Sequence, residues 1–130
     1  MAVDNIYIEW KDGFIGTMSS PTGKVILGDQ DGGMQPYHLL FGALGSCFYA
    51  TFLSIADKKR CSFDSANVEI SGVKRTGEVA TLETVFVKLV VKNPSNEIQL
   101  IKSAELGAKF CSIYQTLSKV AEMTLKVYFE

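Results

Sequence analysis

Nineteen consecutive residues, from His38 to Ala56, contain no Asp, Glu, Lys or Arg, and this run limits what the chain can fold into. A helix of that length extends about 28 Å, close to the thickness of bilayer hydrocarbon. Such a helix belongs either in a membrane or deep inside a protein. Gly42, Gly45 and Ser46 lower the hydropathy of the run, and the rest of the chain alternates polar and apolar residues as a globular protein does. These features favour the central helix of a soluble protein.

The overall composition agrees with a soluble protein. Of the 130 residues, 47% are hydrophobic and 21% are charged, which is typical of a globular domain. We therefore expect a single domain over residues 1–130. The net charge of −1, with one short basic cluster at residues 58–60, argues against nucleic-acid binding. Because the amino-terminal segment lacks the features of a signal peptide, we expect a cytoplasmic protein, not associated with a membrane, with reduced cysteines.

Alternation of polar and apolar residues predicts an α+β domain with about six strands. Asp12-Gly13 is a turn signal between the first two strands. The six segments are residues 5–11, 14–19, 24–27, 67–71, 84–91 and 123–129. Apolar residues on one side of each segment are expected to face a core, as Ile6, Ile8 and Trp10 do in the first.

Three helices are expected between these strands. The uncharged run forms the first, which begins at Pro36 and ends near Lys59. The second begins after Pro94, with Asn93 or Ser95 as its cap. It ends near residues 110–111, and a third helix covers residues 112–121. The inner face of the second helix is expected to consist of residues spaced by three and four, namely Ile98, Ile101, Ala104, Ala108 and Cys111.

Most motifs that bind cofactors or metals are absent, so we expect neither a cofactor nor a metal. No glycine-rich phosphate loop is present, since the glycines of the uncharged run have no accompanying lysine. A metal site made from Cys47, Cys111 and His38 is conceivable, but one histidine is less than zinc sites with imidazole ligands usually have.

The cysteines are the remaining candidates for chemistry. Cys47 lies within the first helix and Cys111 ends the apolar face of the second, so their sulfur atoms are in a position to approach each other. Cys61 follows the charged helix end and is interpreted as a bystander. A buried thiol becomes reactive only when a neighbouring group stabilises its thiolate. His38 does not serve, because nine residues along a helix place it on the opposite face, about 13 Å away. These residues alone predict a buried thiol pair.

Two segments carry a resemblance to a known family. The first, QPYHLLFGALGSC at residues 35–47, resembles the OsmC/Ohr family, in which a proline precedes an apolar helix of small residues leading to a cysteine. The second, CSIYQTL at residues 111–117, is similar to the family's second signature, a cysteine followed by Pro-Val-x-x-Thr-Leu. The resemblance implies an OsmC-like fold and an intertwined homodimer with swapped strands. Its long central helices would then be buried by their own sheet and by the partner.

The resemblance also implies an activity. In the family, the first cysteine attacks an organic hydroperoxide and the second resolves the resulting sulfenic acid as a disulfide, which dithiols, notably lipoyl groups, reduce. Carried over, Cys47 is the peroxidatic thiol and Cys111 the resolving thiol. The sequence departs from the family where residues 1–34 lack the usual arginine, and where Tyr37 replaces a glutamate and Ser112 a proline.

Two functions are therefore compatible with the sequence. The first is a thiol-dependent hydroperoxide reductase, which the two retained cysteines favour. The second is a non-catalytic or differently specialised protein that binds an apolar small molecule at the dimer interface, which the missing arginine favours. Tyr37, Phe41 and Phe48 are the candidate lining residues, although aromatic residues at this spacing also suit an ordinary core.

Overall fold

The computed structural model describes all 130 residues and contains six strands and three helices. The α+β class and the predicted number of strands are confirmed. In chain order the elements are β1 (Tyr7–Lys11), β2 (Ile15–Ser19), β3 (Lys24–Gly28), α1 (Pro36–Lys58), β4 (Ser65–Lys74), β5 (Leu82–Lys92), α2 (Glu97–Phe110), α3 (Ser112–Ser118) and β6 (Glu122–Phe129). The chain divides into two compact units, residues 1–40 and residues 41–130. The single domain expected from the length stays a prediction.

The first unit is an antiparallel meander of β1, β2 and β3. Between β1 and β2 the chain reverses at Asp12 and Gly13, whose φ angles are 49° and 85°. Asparagine, aspartate and glycine adopt such angles more readily than other residues, so the turn predicted from this pair is confirmed.

The strands of this unit leave large apolar side chains exposed. No residue of β1 is buried, and Ile6, Ile8 and Trp10, predicted to face a core, are 56%, 37% and 45% exposed. The Trp10 ring stacks on Phe14 at a centroid distance of 5.1 Å. The period of two predicts the strand correctly, but these residues do not belong to the buried core of the protomer.

The second unit is built on the sheet β4-β5-β6, in which β5 is central. β4 pairs with β5 antiparallel, whereas β6 pairs with β5 in parallel. Parallel neighbours need a long crossover connection, and α2 with α3 supplies it. Alternate side chains of β5 are fully buried and form the centre of the core, namely Val85, Val87, Leu89 and Val91.

Helix α1 buries one face within the protomer. Its buried residues recur every fourth position, at Leu44, Phe48, Phe52 and Ala56. The helix runs over β4, since a Cβ atom at Gly45 would lie 3.2 Å from Ile70 Cδ1. Only 22% of its most apolar 18-residue window is buried, so the protomer alone does not surround the helix. By length and composition α1 also matches a membrane span, a test that core helices of soluble proteins pass as well.

Helix α2 buries a face different from the predicted one. Ile98 and Ile101 are 66% and 37% exposed, so their assignment to the core is wrong. The buried residues are mostly smaller, namely Leu100, Ser103, Ala104, Gly107 and Ala108. Residues spaced by three and four form both the predicted face and the observed face of α2. The observed face carries the small residues, which permit close contact with α1.

The amino-terminal cap of α2 also differs from the prediction. The cap is Asn96, rather than Asn93 or Ser95, and its side chain accepts a hydrogen bond from the Gln99 N–H at 3.0 Å. Ser95 instead uses its hydroxyl to accept from the Ser62 N–H at 2.8 Å, which ties the start of this helix to the loop after α1. Pro94 therefore lies outside the helix, three residues before its first residue.

Candidate active site

A close contact between α1 and α2 positions the two cysteines. A Cβ atom at Gly107 would lie 3.2 Å from the backbone N and Cα of Phe52, so a larger residue would require the two backbones to move apart by a few tenths of an ångström. Cys111 lies one turn beyond Gly107, and its N–H donates to the Gly107 carbonyl at 2.9 Å. Cys47 lies five residues before Phe52 on the neighbouring helix. The contact thus brings the end of α2 against the middle of α1.

Cys111 forms the junction between α2 and α3. It is the carboxyl-terminal cap of α2 and the amino-terminal cap of α3, with extended backbone angles of φ −78° and ψ 115°. Its Sγ atom accepts a hydrogen bond from the Tyr114 N–H at 3.3 Å, in the position where a cap usually places a side-chain oxygen. The residue is fully buried. The helix break expected near this residue is confirmed.

The Cys47 thiol faces this junction. It is half-buried, and the groups that influence its ionisation belong to three successive residues: the Cys111 thiol, the hydroxyl and N–H of Ser112, and the Ile113 N–H. The expectation that the Cys47 and Cys111 sulfur atoms approach each other is therefore confirmed. Both cysteines are free thiols in the structure.

The two thiols differ in acidity because their surroundings differ. Burial raises the pKa of Cys47, but the donors from Cys111, Ile113 and Ser112 together outweigh burial and hold that pKa below its ordinary value. Burial, followed by the hydrogen bond with Cys47, raises the pKa of Cys111 to about 11. When the pair ionises, the first proton is therefore lost from Cys47, while Cys111 keeps its S–H. This is the arrangement of one nucleophilic and one protonated thiol.

No cation is among the groups that lower the pKa of Cys47. Arg75, one of the two arginines, donates to the Leu82 and Val120 carbonyls and to the Thr81 hydroxyl, so its guanidinium holds backbone together. His38 accepts the Gln35 N–H on its Nδ1 atom at 3.0 Å. Within the protomer, the groups that lower the pKa of Cys47 are those of Cys111, Ile113 and Ser112.

The other residues considered from the sequence lie in ordinary structural surroundings. Phe48 is fully buried and stacks on Phe52 at 6.3 Å, so it is part of the core. Phe41 is half-buried with its ring end beside Gly72, and Tyr37 is half-buried. Their role in a ligand pocket stays a prediction. Cys61 is buried, and its thiol points to the Lys59 carbonyl at 3.9 Å.

An apolar groove begins one turn along α1 from Cys47. Its volume is about 550 Å³, and it runs between the second half of α1 and the end of α2. The residues lining it are Ala50, Thr51, Ser54, Ile55, Lys58, Leu106 and Phe110. These residues were not predicted from the sequence, because a groove between two helices depends on how the helices pack.

The donors on Ser112 and Ile113 were also missed from the sequence. A signal was present, since Ser112 stands where the related signature has proline. A proline has neither an N–H nor a hydroxyl, whereas serine has both. This departure from the pattern therefore adds an N–H and a hydroxyl to the residue that follows Cys111.

Comparison with known proteins agrees with this fold. The family model described as "OsmC-like protein" matches residues 28–126. A hypothetical protein from Aquifex aeolicus superimposes with a TM-score of 0.86 at 22% identity, covering 100% of this chain and 99% of the other. An OsmC-like protein from Mycoplasma pneumoniae gives a TM-score of 0.87 at 18% identity, covering 98% and 97%.

A third structure is an organic hydroperoxide resistance protein OsmC from Legionella pneumophila. It gives a TM-score of 0.76 at 13% identity, covering 98% of each chain. No curated protein matches the sequence. The family match covers most of the chain, and the matched region contains both cysteines of the candidate site. The protein therefore belongs to the OsmC-like protein family.

Proposed function

We propose that this protein is a thiol-dependent hydroperoxide reductase in which Cys47 attacks the peroxide and Cys111 resolves the product. The observation that carries the proposal is the thiol pair itself: Cys47 and Cys111 influence each other's ionisation, so that the pKa of Cys47 is lowered while the pKa of Cys111 is raised to about 11. One thiolate next to one retained thiol is what a two-cysteine peroxidase needs. Membership of the OsmC-like family supports the same function, as does the similarity to a structure named an organic hydroperoxide resistance protein.

The reaction follows from these protonation states. The Cys47 thiolate attacks one peroxide oxygen, the O–O bond breaks, and the second oxygen takes up a proton and leaves as an alcohol. The sulfur is then a sulfenic acid. The sulfur of Cys111 attacks it, so that a disulfide forms while the thiol proton leaves with the oxygen as water. A dithiol of the lipoyl type reduces the disulfide and becomes a cyclic disulfide. Two electrons thus pass from the dithiol to the peroxide.

The apolar groove favours an organic hydroperoxide as substrate. Ala50 and Thr51, which line it, are three and four residues beyond Cys47 and so lie on the same side of α1. The hydrocarbon part of a substrate bound there would leave water and contribute to affinity, whereas hydrogen peroxide has no such part.

The test of this proposal is the rate of peroxide consumption under dithiol turnover. We expect the reduced protein to consume cumene hydroperoxide at least about tenfold faster than hydrogen peroxide. Burial of a few methylene-sized groups of the substrate provides a rate difference of this size. Consumption no faster than that of the dithiol alone would contradict the proposal. Equal rates for the two peroxides would retain the reductase but contradict the role of the groove.

We further propose that the working unit is a homodimer. The support is the amount of apolar surface left open on the protomer: α1 is largely unburied, and Trp10, Ile98 and Phe110 are 45%, 66% and 64% exposed. Soluble monomers rarely expose apolar patches of this extent. Sedimentation equilibrium is expected to give about twice the 14.3 kDa of the chain, and a monomer at micromolar concentration would contradict it.

A second candidate function is binding of an apolar small molecule at the dimer interface. The groove of about 550 Å³ is the observation that favours it, because that volume lies within the range of small-molecule sites. Saturable binding of an apolar fluorescent probe, in a protein without peroxide turnover, would favour this function over the reductase.

OsmC-like proteins are soluble, and we propose a cytoplasmic location, where reducing conditions keep the thiols free.

A further inference from the structure

The break between α2 and α3 deprives one carbonyl group of α2 of its helical partner. In an uninterrupted helix the Ala108 carbonyl would accept from the Ser112 N–H. The chain leaves the helical path at Cys111, whose backbone is extended, and the Ala108 carbonyl instead accepts a hydrogen bond from Nε2 of Gln115 at 3.1 Å. Ala108 is 8% exposed and Gln115 is half-buried, so this hydrogen bond is largely shielded from water.

Gln115 therefore connects the two helices across the residue that carries the second thiol. Its backbone N–H donates to the Cys111 carbonyl at 3.0 Å, while the Cys111 N–H donates to the Gly107 carbonyl at 2.9 Å. The side chain of Gln115 reaches from α3 back to α2 over this junction. Because Gly107 packs against the backbone of Phe52 in α1, the junction also sets where Cys111 lies relative to α1.

The hydrogen bond of the Cys111 sulfur is a weaker support for the same junction. Sγ of Cys111 accepts from the Tyr114 N–H at 3.3 Å. Sulfur is a weak acceptor, and in the proposed reaction this same atom forms a bond with the sulfur of Cys47. The side-chain amide of Gln115 takes no part in that bond. It is therefore able to hold the junction both before and after the sulfur reacts.

We propose that Gln115 is the positioning residue for the resolving step, because its hydrogen bond to the Ala108 carbonyl keeps the Cys111 sulfur beside Cys47. The inference rests on the proposed role of Cys111 as the resolving thiol. In that step the Cys111 sulfur attacks the sulfenic sulfur of Cys47, the S–S bond forms, the S–O bond breaks, and the oxygen leaves as water with the thiol proton. Misplacement of a reacting group by about 1 Å costs on the order of 10²-fold in rate.

The experiment measures how readily the two thiols form a disulfide when no peroxide is present. The reduced full-length protein is equilibrated with mixtures of reduced and oxidised dithiothreitol, quenched with acid, alkylated and weighed by mass spectrometry. The protein loses two hydrogens to the cyclic disulfide of the reagent, which becomes the dithiol. Peptide mapping identifies the disulfide between Cys47 and Cys111.

Two substitutions remove the donor and keep the size of the side chain. Gln115→Met preserves an unbranched side chain with good helix propensity, and Gln115→Glu preserves the shape, but an ionised carboxylate only accepts hydrogen bonds. Without the link, the junction is free to open in the dithiol and has to be restored in the disulfide. We therefore expect both variants to need about a tenfold higher ratio of oxidised to reduced dithiothreitol for half-oxidation.

Ser118→Ala is the matched control. The Ser118 hydroxyl donates to the Gln115 carbonyl at 2.6 Å, so the control removes a hydrogen bond that lies wholly within α3 and leaves the link to α2 in place. We expect its half-oxidation ratio to stay within about twofold of that of the original protein.

Overoxidation by peroxide gives a second readout. A sulfenic acid that is not resolved reacts with further peroxide to give a sulfinic acid. With rising cumene hydroperoxide, we expect Cys47 of Gln115→Met to become sulfinic at about tenfold lower peroxide than in the original protein, as slower resolution requires. The rate of the first oxidation is expected to be unchanged, since Gln115 does not contact the Cys47 sulfur in this account.

Unchanged half-oxidation ratios in both Gln115 variants would overturn the inference. An equally large shift in Ser118→Ala would also overturn it, because general weakening of α3 would then be the cause. Since the equilibrium needs no peroxide, the two proposals fail separately. A shifted equilibrium in a protein that consumes no peroxide would refute the proposed reductase and leave the positioning of the thiol pair by Gln115 intact.

Discussion

Cys47→Ser is expected to abolish hydroperoxide turnover, lowering the rate by on the order of 10³-fold or more. A serine hydroxyl is not ionised near neutral pH, so the substitution removes the nucleophile while leaving a group of similar size. The donors of Cys111, Ser112 and Ile113 would then face a neutral oxygen. The measurement is peroxide loss with excess dithiol under identical conditions for each variant.

Two further cysteine variants make this prediction specific. Without the dithiol, Cys111→Ser is expected to consume about one equivalent of peroxide, because Cys47 is still present, and then to stop at the sulfenic acid without forming an internal disulfide. Cys61→Ser is the matched control. The Cys61 thiol contacts the Lys59 carbonyl and is not part of the proposed thiol pair. We expect it to retain full turnover. If turnover survives in Cys47→Ser, or is lost in Cys61→Ser, the assignment of the nucleophile is wrong.

Phe52→Ala is expected to lower the free energy of unfolding by about 3–5 kcal/mol, the range for removing a buried aromatic ring. Phe52 is fully buried, and its ring lies 5.9–6.3 Å from the rings of Phe48, Tyr49 and Phe63. Because total stabilities are only about 5–15 kcal/mol, this loss is a large part of the whole. Urea unfolding at a fixed protein concentration measures it.

Substitutions of different size test whether the loss of stability in Phe52→Ala comes from the cavity that the missing ring leaves. Phe52→Leu fills most of the space and is expected to cost roughly 1–2 kcal/mol. Val79→Ala, at a residue that is 80% exposed, is expected to change stability by less than about 0.5 kcal/mol. A cost below about 1 kcal/mol for Phe52→Ala would mean that the aromatic cluster does not hold α1 in place.

Local patterns predicted the elements of this fold because each pattern has a local cause. The Asp12-Gly13 turn, the strands and the helix beginning at Pro36 all appear where periodicity and turn chemistry place them. The proximity of Cys47 and Cys111 was also predicted, from the expectation that both cysteines face inward. The α+β class followed from the alternation of these elements.

Features set by tertiary contacts were not predictable in this way. The face of α2 was assigned to Ile98 and Ile101, whereas close packing selects the side with Gly107, which meets the Phe52 backbone. Spacing alone does not distinguish two faces that share one period. The groups that influence the ionisation of Cys47 depend on where two separate helices meet, so the short motif at residues 111–117 did not identify them.

The central claim is that Cys47 and Cys111 form one redox pair, and the mass of the intact protein tests it most directly. The reduced protein is treated with one equivalent of cumene hydroperoxide, quenched with an alkylating reagent and analysed whole and as peptides. The account predicts a chain lighter by two hydrogens before alkylation, a peptide pair joined through Cys47 and Cys111, and Cys61 free to react after unfolding. A mass that does not change, or a linkage that includes Cys61, would contradict the account.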